Sequence, residues 1–480
     1  MIFKKYNHDF VILLFGRLFQ VLLTFIIFRV LTTIFTKSEL GIIYYLIALQ
    51  SFYTLFLINP VGQFFYRNII SWYNSGMTMF FLKKQLLYIS SITFFVIISL
   101  GFLRYFNLVK LSFEQFWLIV ALTFSQSFNQ TILSLLNMIG KKWAYVNLNI
   151  LTSIISLLLF FFLICFFDKK SEYWLYGIVF ANLFLFFFAF NYLCFVLKGK
   201  IKELNLCAII LHNNADIFKI IKFSLPISIA TLFMWYLSSG YRIQVEDHFG
   251  LAYLALIGVG LSISNQVFNI IESILTQYLI PDLYHRIENK NKNKNKIEVL
   301  FNNYLNVIIP IYLSIAIFLT FSIKNLLPFI VSESFADGYV IIIFGAWIEF
   351  TRVVTNALAL ASQIERKTNY FIPAYFLGSL FLIILFNVFL KQKSLICFYL
   401  LFANIVVLIF MGIMMKKVIN FTLSWSRIFK IILYSIPSSL FFYYVSSVFG
   451  LNLENFILSS IGCIIFAFFL CVYCYFNIED

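Results

Sequence analysis

The sequence predicts an all-α integral membrane protein with about fourteen transmembrane helices. Hydrophobic residues make up 62% of the 480 and charged residues only 11%, and the mean hydropathy is +0.94. That composition excludes a soluble globular protein. Apolar runs of roughly 17 residues or more, long enough to cross a bilayer, recur along the chain with short polar breaks between them. Such runs must be helical, because only a helix satisfies every backbone donor and acceptor within its own segment where no water reaches.

The first expected span, 10–31, is apolar apart from Arg17, Gln20, Thr24 and Arg29. The second, 40–59, opens behind Lys37, Ser38 and Glu39, and the third, 86–103, follows Lys83 and Lys84. The fourth, 113–136, is separated from the fifth, 146–167, by Lys141 and Lys142, and Asp168, Lys169 and Lys170 precede the sixth, 173–197. A lysine-bearing stretch leads to the seventh and eighth, 223–239 and 251–280, with Arg242, Glu246 and Asp247 in the outer loop between them. Beyond the Lys- and Asn-rich 290–296 lie 305–321, 339–360, 370–390 and 395–415, then 428–448 and 456–476. Two stretches about 209 residues apart, each carrying Gly-x-x-Tyr at the start of a span (Gly41 to Tyr44, Gly250 to Tyr253), divide the chain into repeats, the common construction of secondary transporters. The expected organisation is a six-helix lobe over 1–216, a second over 217–418, and two additional C-terminal helices over 419–480.

Placing the N-terminus in the cytoplasm puts about 23 Lys and Arg in inner loops and tails and about 9 outside, as the positive-inside rule requires. Both termini are therefore expected to be cytoplasmic. The first span carries charges and has no small-residue cleavage site behind it, so it reads as a retained helix. The net charge of +15 comes from lysines flanking spans, which fit anionic lipid headgroups and not nucleic acid. Cys165, Cys194, Cys397, Cys463, Cys471 and Cys474 fall in apolar spans and read as buried thiols, with no metal expected. No phosphate-cradling loop for ATP occurs, no cofactor is expected, and no inter-span stretch has room for a soluble domain.

The polar residues inside the spans carry the functional reading. A guanidinium near the bilayer centre costs about 2.5 to 3.5 kcal/mol on insertion scales, so Arg17 and Arg29 mark a pathway for an anion. Helical spacing places Ser224, Ser228, Thr231, Trp235, Ser238 and Arg242 on one face of the seventh span. Ser262, Asn265, Gln266, Asn269, Glu272, Ser273, Thr276 and Gln277 form a denser stripe on the eighth. Glu349, Arg352, Asn356 and Gln363 line one side of the tenth, and Gln126, Asn129, Gln130 and Asn137 one side of the fourth. Each stripe could be a packing seam between helices; a water-filled cavity accounts for all of them together. Glu272 and Glu349 are the candidates for a coupling proton. Arg352, three residues after Glu349, could instead form an internal ion pair with it.

Asn59-Pro60-Val61-Gly62-Gln63 followed by Arg67, Leu225-Pro226 ahead of Trp235, Ser239-Gly240-Tyr241-Arg242, and Gly16-Arg17 resemble segments of the Wzx family of oligosaccharide flippases. That family belongs to the multidrug, oligosaccharidyl-lipid and polysaccharide (MOP) exporter superfamily, with two six-helix lobes around a central cavity. Many of its relatives have twelve spans and the lipid II flippases fourteen. The resemblance implies movement of undecaprenyl-pyrophosphate-linked O-antigen or capsule repeat units from the cytoplasmic to the outer leaflet of a bacterial inner membrane. It also implies a polysaccharide polymerase and a chain-length regulator as partners. Arg17 and Arg352 are then the expected headgroup ligands, Arg29 and Arg242 receive the phosphate nearer the outer face, and Trp235, Asn265 and Asn269 meet the sugars. The rival readings are a multidrug exporter of the same superfamily, which calls for an acidic cavity, and a membrane-embedded polymerase or acyltransferase, which calls for a long outer loop or a His and Asp constellation.

Overall fold

A computed structural model describes residues 7–167, 169–198, 206–289, 294–365, 367–389, 392–448 and 450–478. Among them there is no strand. The helices are α1 (Asn7–Ile34), α2 (Lys37–Tyr53), α3 (Asn59–Ser75), α4 (Thr78–Tyr105), α5 (Phe113–Met138), α6 (Lys142–Phe166), α7 (Glu172–Leu197), α8 (Leu206–Trp235), α9 (Tyr241–Asn289), α10 (Lys294–Ile330), α11 (Tyr339–Ile364), α12 (Phe371–Phe389), α13 (Ile396–Lys416), α14 (Trp425–Val445) and α15 (Leu453–Ile478). All the expected spans overlie helices.

Among the described residues 12 helical stretches are long and apolar enough to cross a membrane. One of them, Phe218–Thr276, holds both the seventh and the eighth expected spans, and the polar residues of α5 keep that helix out of the set. The surface is apolar as a multi-pass membrane protein requires: on α4 Phe94, Phe95, Ile98 and Phe102 face outward while Ile89, Val96 and Leu100 are buried. Of the cysteines, Cys397 is buried, but Cys165 and Cys471 lie on the outer surface of their helices, which corrects the expectation of an interior position.

Two expected loops are helical. The second span runs on through a π-helical turn, Thr54–Ile58, into α3, and Tyr88 donates to the Leu57 carbonyl (2.8 Å) within that turn. A second π turn, Tyr236–Gly240, closes the expected seventh span and leads directly into α9, whose first turns occupy the expected outer loop. The chain breaks only at Gly250, whose φ of 78° is a conformation side chains disfavour. A π turn inserts a residue into the helical phase, so Ser238 and Arg242 do not continue the face that runs from Ser224 to Trp235.

Contacts divide the chain into two compact units. The first takes 1–23 and 38–251, the second 24–37 and 252–480. The sequence placed the boundary at 216; in the structure α8 packs on α3 and the first π turn, within the first unit. In that unit α5, α6 and α7 pack together over Ile132, Leu136, Val146, Ala189 and Leu193. A capping box starts α5: Ser112 accepts from the Gln115 amide, and the Gln115 side chain accepts from the Ser112 amide (both 3.1 Å).

In the second unit α10 packs against α11, α14 and α15, and α13 against α11 and α12. Ser264 of α9 donates to the Ile342 carbonyl (2.8 Å). The C-terminal pair is tied in by two fully buried asparagines: Asn325 donates to the Val448 carbonyl (2.7 Å), and Asn455 to the carbonyls of Asn325 (3.0 Å) and Gly450 (2.9 Å). Asn455→Leu removes the side-chain donor to the Gly450 carbonyl and the acceptor of the Ser459 hydroxyl (3.2 Å), at about 1 to 3 kcal/mol for each buried group left unsatisfied. A lowered melting temperature of the detergent-solubilised protein, with earlier proteolysis between α14 and α15, is expected.

Candidate functional site

Each unit carries a polar centre. In the first, Arg17 is half-buried on α1 and donates from Nη1 to Gln20 Oε1 (3.0 Å) and from Nη2 to the Tyr145 hydroxyl (3.2 Å). Both partners are neutral, and among the described residues no carboxylate pairs with Arg17. A guanidinium held by neutral partners keeps the charge and planar donor array that an anion requires.

One helical turn beyond Tyr145, Asn149 donates back to the Tyr145 carbonyl (2.8 Å) and lines a cavity of 410 Å³. Six α-helices and the π turn build this cavity: Gln50 and Thr54 come from α2 and the π turn, Asn59, Gly62 and Tyr66 from α3, and Gln85 from α4. Gln126, Asn129 and Gln130 come from α5, Asn149, Thr152 and Ser153 from α6, and Asn182 from α7. Among the described residues none that lines the wall is charged. Gln50 pairs with Gln126 (3.2 Å) and Asn129 with Asn182 (2.9 Å). Of these the sequence placed only the α5 members on a polar stripe, and named Asn59 and Gly62 only within the flippase resemblance. The spacing of Asn149, Thr152, Ser153 and Ser156 on α6 is the same stripe signal and points to the same place.

Trp235 and Arg242 also belong to the first unit. The Trp235 indole donates to the Ala48 carbonyl (3.0 Å) and the Ser51 hydroxyl (3.2 Å) and meets Phe52 edge-on at 4.9 Å, so its ring is held against α2. The Arg242 guanidinium lies 5.4 Å from the Tyr44 ring centroid, and its buried Nε has no hydrogen-bond partner.

The second unit assembles the other candidates into one network. Arg352 on α11 meets Glu349 Oε2 through Nε (2.6 Å) and Glu272 Oε2 of α9 through Nη2 (3.0 Å). Asn265 donates to Glu349 Oε1 (3.0 Å), Asn269 to Asn265 Oδ1 (2.7 Å) and Asn356 to Glu272 Oε1 (2.9 Å), while Arg352 also donates to Asn269 Oδ1 (2.8 Å). The side chains of Arg352, Glu272 and Glu349 are only 20%, 18% and 11% exposed. The internal ion pair therefore forms, and a second acid joins it. Two carboxylates already neutralise this guanidinium, unlike Arg17.

Arg29 belongs to this unit as well, but not to the network. It donates from Nη1 to the carbonyls of Pro328 (2.7 Å) and Val331 at the end of α10, where a cation complements the helix dipole. Ser332 fastens the same end by donating to Thr32 Oγ1 (3.0 Å) and to the Thr32 carbonyl (2.6 Å).

No protein-family model matches the sequence, and no curated protein matches it. Solved structures do. The lipid II flippase MurJ, in an inward closed conformation, is similar over 92% of this chain and 97% of its own, with a TM-score of 0.59 at 15% identity. An inward-facing multidrug resistance MATE family transporter of the MOP superfamily is similar over 84% of this chain and 94% of its own (TM-score 0.55, 12% identity). The eukaryotic MATE transporter AtDTX14 is similar over 89% and 96% (TM-score 0.56, 11% identity). The fold is that of the MOP transporters. These similar structures are named as flippase and transporters, not as enzymes.

Proposed function

We propose that the chain is a Wzx-type flippase that carries undecaprenyl-pyrophosphate-linked oligosaccharide repeat units, of O-antigen or capsule type, from the cytoplasmic to the outer leaflet of a bacterial inner membrane. Both termini then lie in the cytoplasm, and a polysaccharide polymerase takes up the product outside. The observation that carries this reading is Arg17, a guanidinium within an apolar span that, among the described residues, hydrogen-bonds only neutral groups. A pyrophosphate needs charge-assisted donors in planar array, which arginine supplies. One charge pair at about 4 Å contributes roughly 4 kcal/mol at an effective dielectric of 20, enough to offset part of the headgroup's desolvation. The uncharged cavity beside it speaks against a multidrug exporter, whose cationic substrates call for a carboxylate there. Glu272 and Glu349 are the acids that would carry a coupling proton, since protonating either one removes a charged partner from Arg352.

The reading is tested in a strain deleted for this chain and lacking a redundant flippase. Surface polysaccharide should be lost, with lipid-linked units retained on the cytoplasmic side, and the intact chain should restore it. Arg17→Ala, at equal membrane abundance, should restore less than a tenth, and Arg17→Lys an intermediate amount. Full restoration by Arg17→Ala would overturn the assignment.

A further inference from the structure

The cavity of the first unit has a chemistry of its own. We propose that it binds the uncharged sugars of the lipid-linked substrate and rejects acidic ones; this rests on the flippase reading, which it deepens. Its 410 Å³ lies within the roughly 300–1,000 Å³ of small-molecule sites and accommodates a short glycan. The wall consists mainly of side-chain amides and hydroxyls, groups that donate and accept at once, as the hydroxyls of a sugar do. An ionised carboxylate would find no cation among the described residues of this wall, and burying a charge without a partner is far more costly than burying a hydroxyl that finds one.

Asn129 supplies the second observation. It is 1% exposed, lines the cavity, and its Oδ1 has no hydrogen-bond partner. Buried acceptors are almost always satisfied; this oxygen is closed off by its neighbours, so a turn of the Asn129 amide toward the cavity would bring it to a ligand that donates. A sugar hydroxyl donates; an ionised carboxylate only accepts. Tyr66 offers an aromatic face for the C–H side of a pyranose ring. The link through Asn149 and Tyr145 to Arg17 matches the order of groups on the substrate, a pyrophosphate followed by sugars.

The test uses the full chain in nanodiscs, with saturation-transfer NMR against two probes of equal length, neutral chitotriose and anionic trigalacturonate. Chitotriose should show transfer and trigalacturonate none at the same concentration. Asn129→Leu should weaken chitotriose at least tenfold. Gly62→Phe should abolish its binding by filling the space. A Cβ at Gly62 meets only the Tyr66 ring at 3.7 Å and the Gln85 amide at 3.9 Å, so this second variant stands if Asn129→Leu does not fold. No chitotriose transfer in the unmodified chain, equal transfer from both probes, or undiminished transfer in the folded variants would overturn the proposal. The two readings fail separately. Intact surface polymer in the deletion strain sinks the flippase alone, while polymer loss together with binding indifferent to both substitutions sinks the cavity assignment alone.

Discussion

Arg352→Leu is expected to leave little folded protein in the membrane fraction. The substitution strands Glu272 and Glu349, each mostly buried, without the only cation that the described residues place against them. Breaking a buried charge pair by removing one partner costs about 3 to 5 kcal/mol, because the remaining charge keeps its desolvation penalty and loses its compensation. Here two charges are stranded, and they also repel one another. The damage should be repaired by removing charge elsewhere: combining Arg352→Leu with Glu272→Gln and Glu349→Gln should recover most of the folded protein. Size-exclusion chromatography of a fluorescent fusion in mild detergent reads both variants. A triple variant no more abundant than Arg352→Leu would show that the guanidinium acts through packing and not through charge.

The same network shows what the sequence could and could not say. The spans, the polar stripes and the intramembrane charges were all legible, because hydropathy and helical period are local properties of the chain. Partnership is not local. Glu272 has no charged neighbour along its own helix, and Arg352 reaches it from α11, 80 residues further on. Arg17 and Arg29 sit on one helix and read alike in sequence, yet one bonds neutral side chains and the other closes the end of α10, some 300 residues away. For the cavity, the α5 stripe was read and the α6 stripe carried the same signal, but the members on α2, α3, α4 and α7 were not visible as stripes, since each of those helices contributes only one or two polar residues. The π turns escaped for a different reason. An inserted residue leaves composition and apolar length unchanged, and only the phase of the side chains registers it.

Gly41→Val should abolish accumulation of the protein in the membrane fraction, and even Gly41→Ala should lower its melting temperature markedly. A Cβ added at Gly41 would lie 2.6 Å from the Leu251 carbonyl carbon and closer still to its oxygen. The obstacle is backbone, which cannot turn aside as a side-chain tip can, so the two helices must separate. Overpacking of a core side chain typically costs 1 to 3 kcal/mol, and a clash with main chain belongs at or above the top of that range. Gly101→Ala is the control, since nothing lies within 4 Å of a Cβ there and a helical glycine gains from the exchange. Gly41 and Leu251 come from the two Gly-x-x-Tyr stretches that match across the chain. The first copy packs its glycine directly on the backbone of the second, and Arg242, just ahead of that second copy, lies over Tyr44 of the first. The short internal likeness therefore marks a physical contact in which one glycine is required for close approach and the other, Gly250, for its positive φ. A Gly41→Ala protein that melts with the unmodified chain would mean that this contact opens freely and that the likeness carries no structural demand.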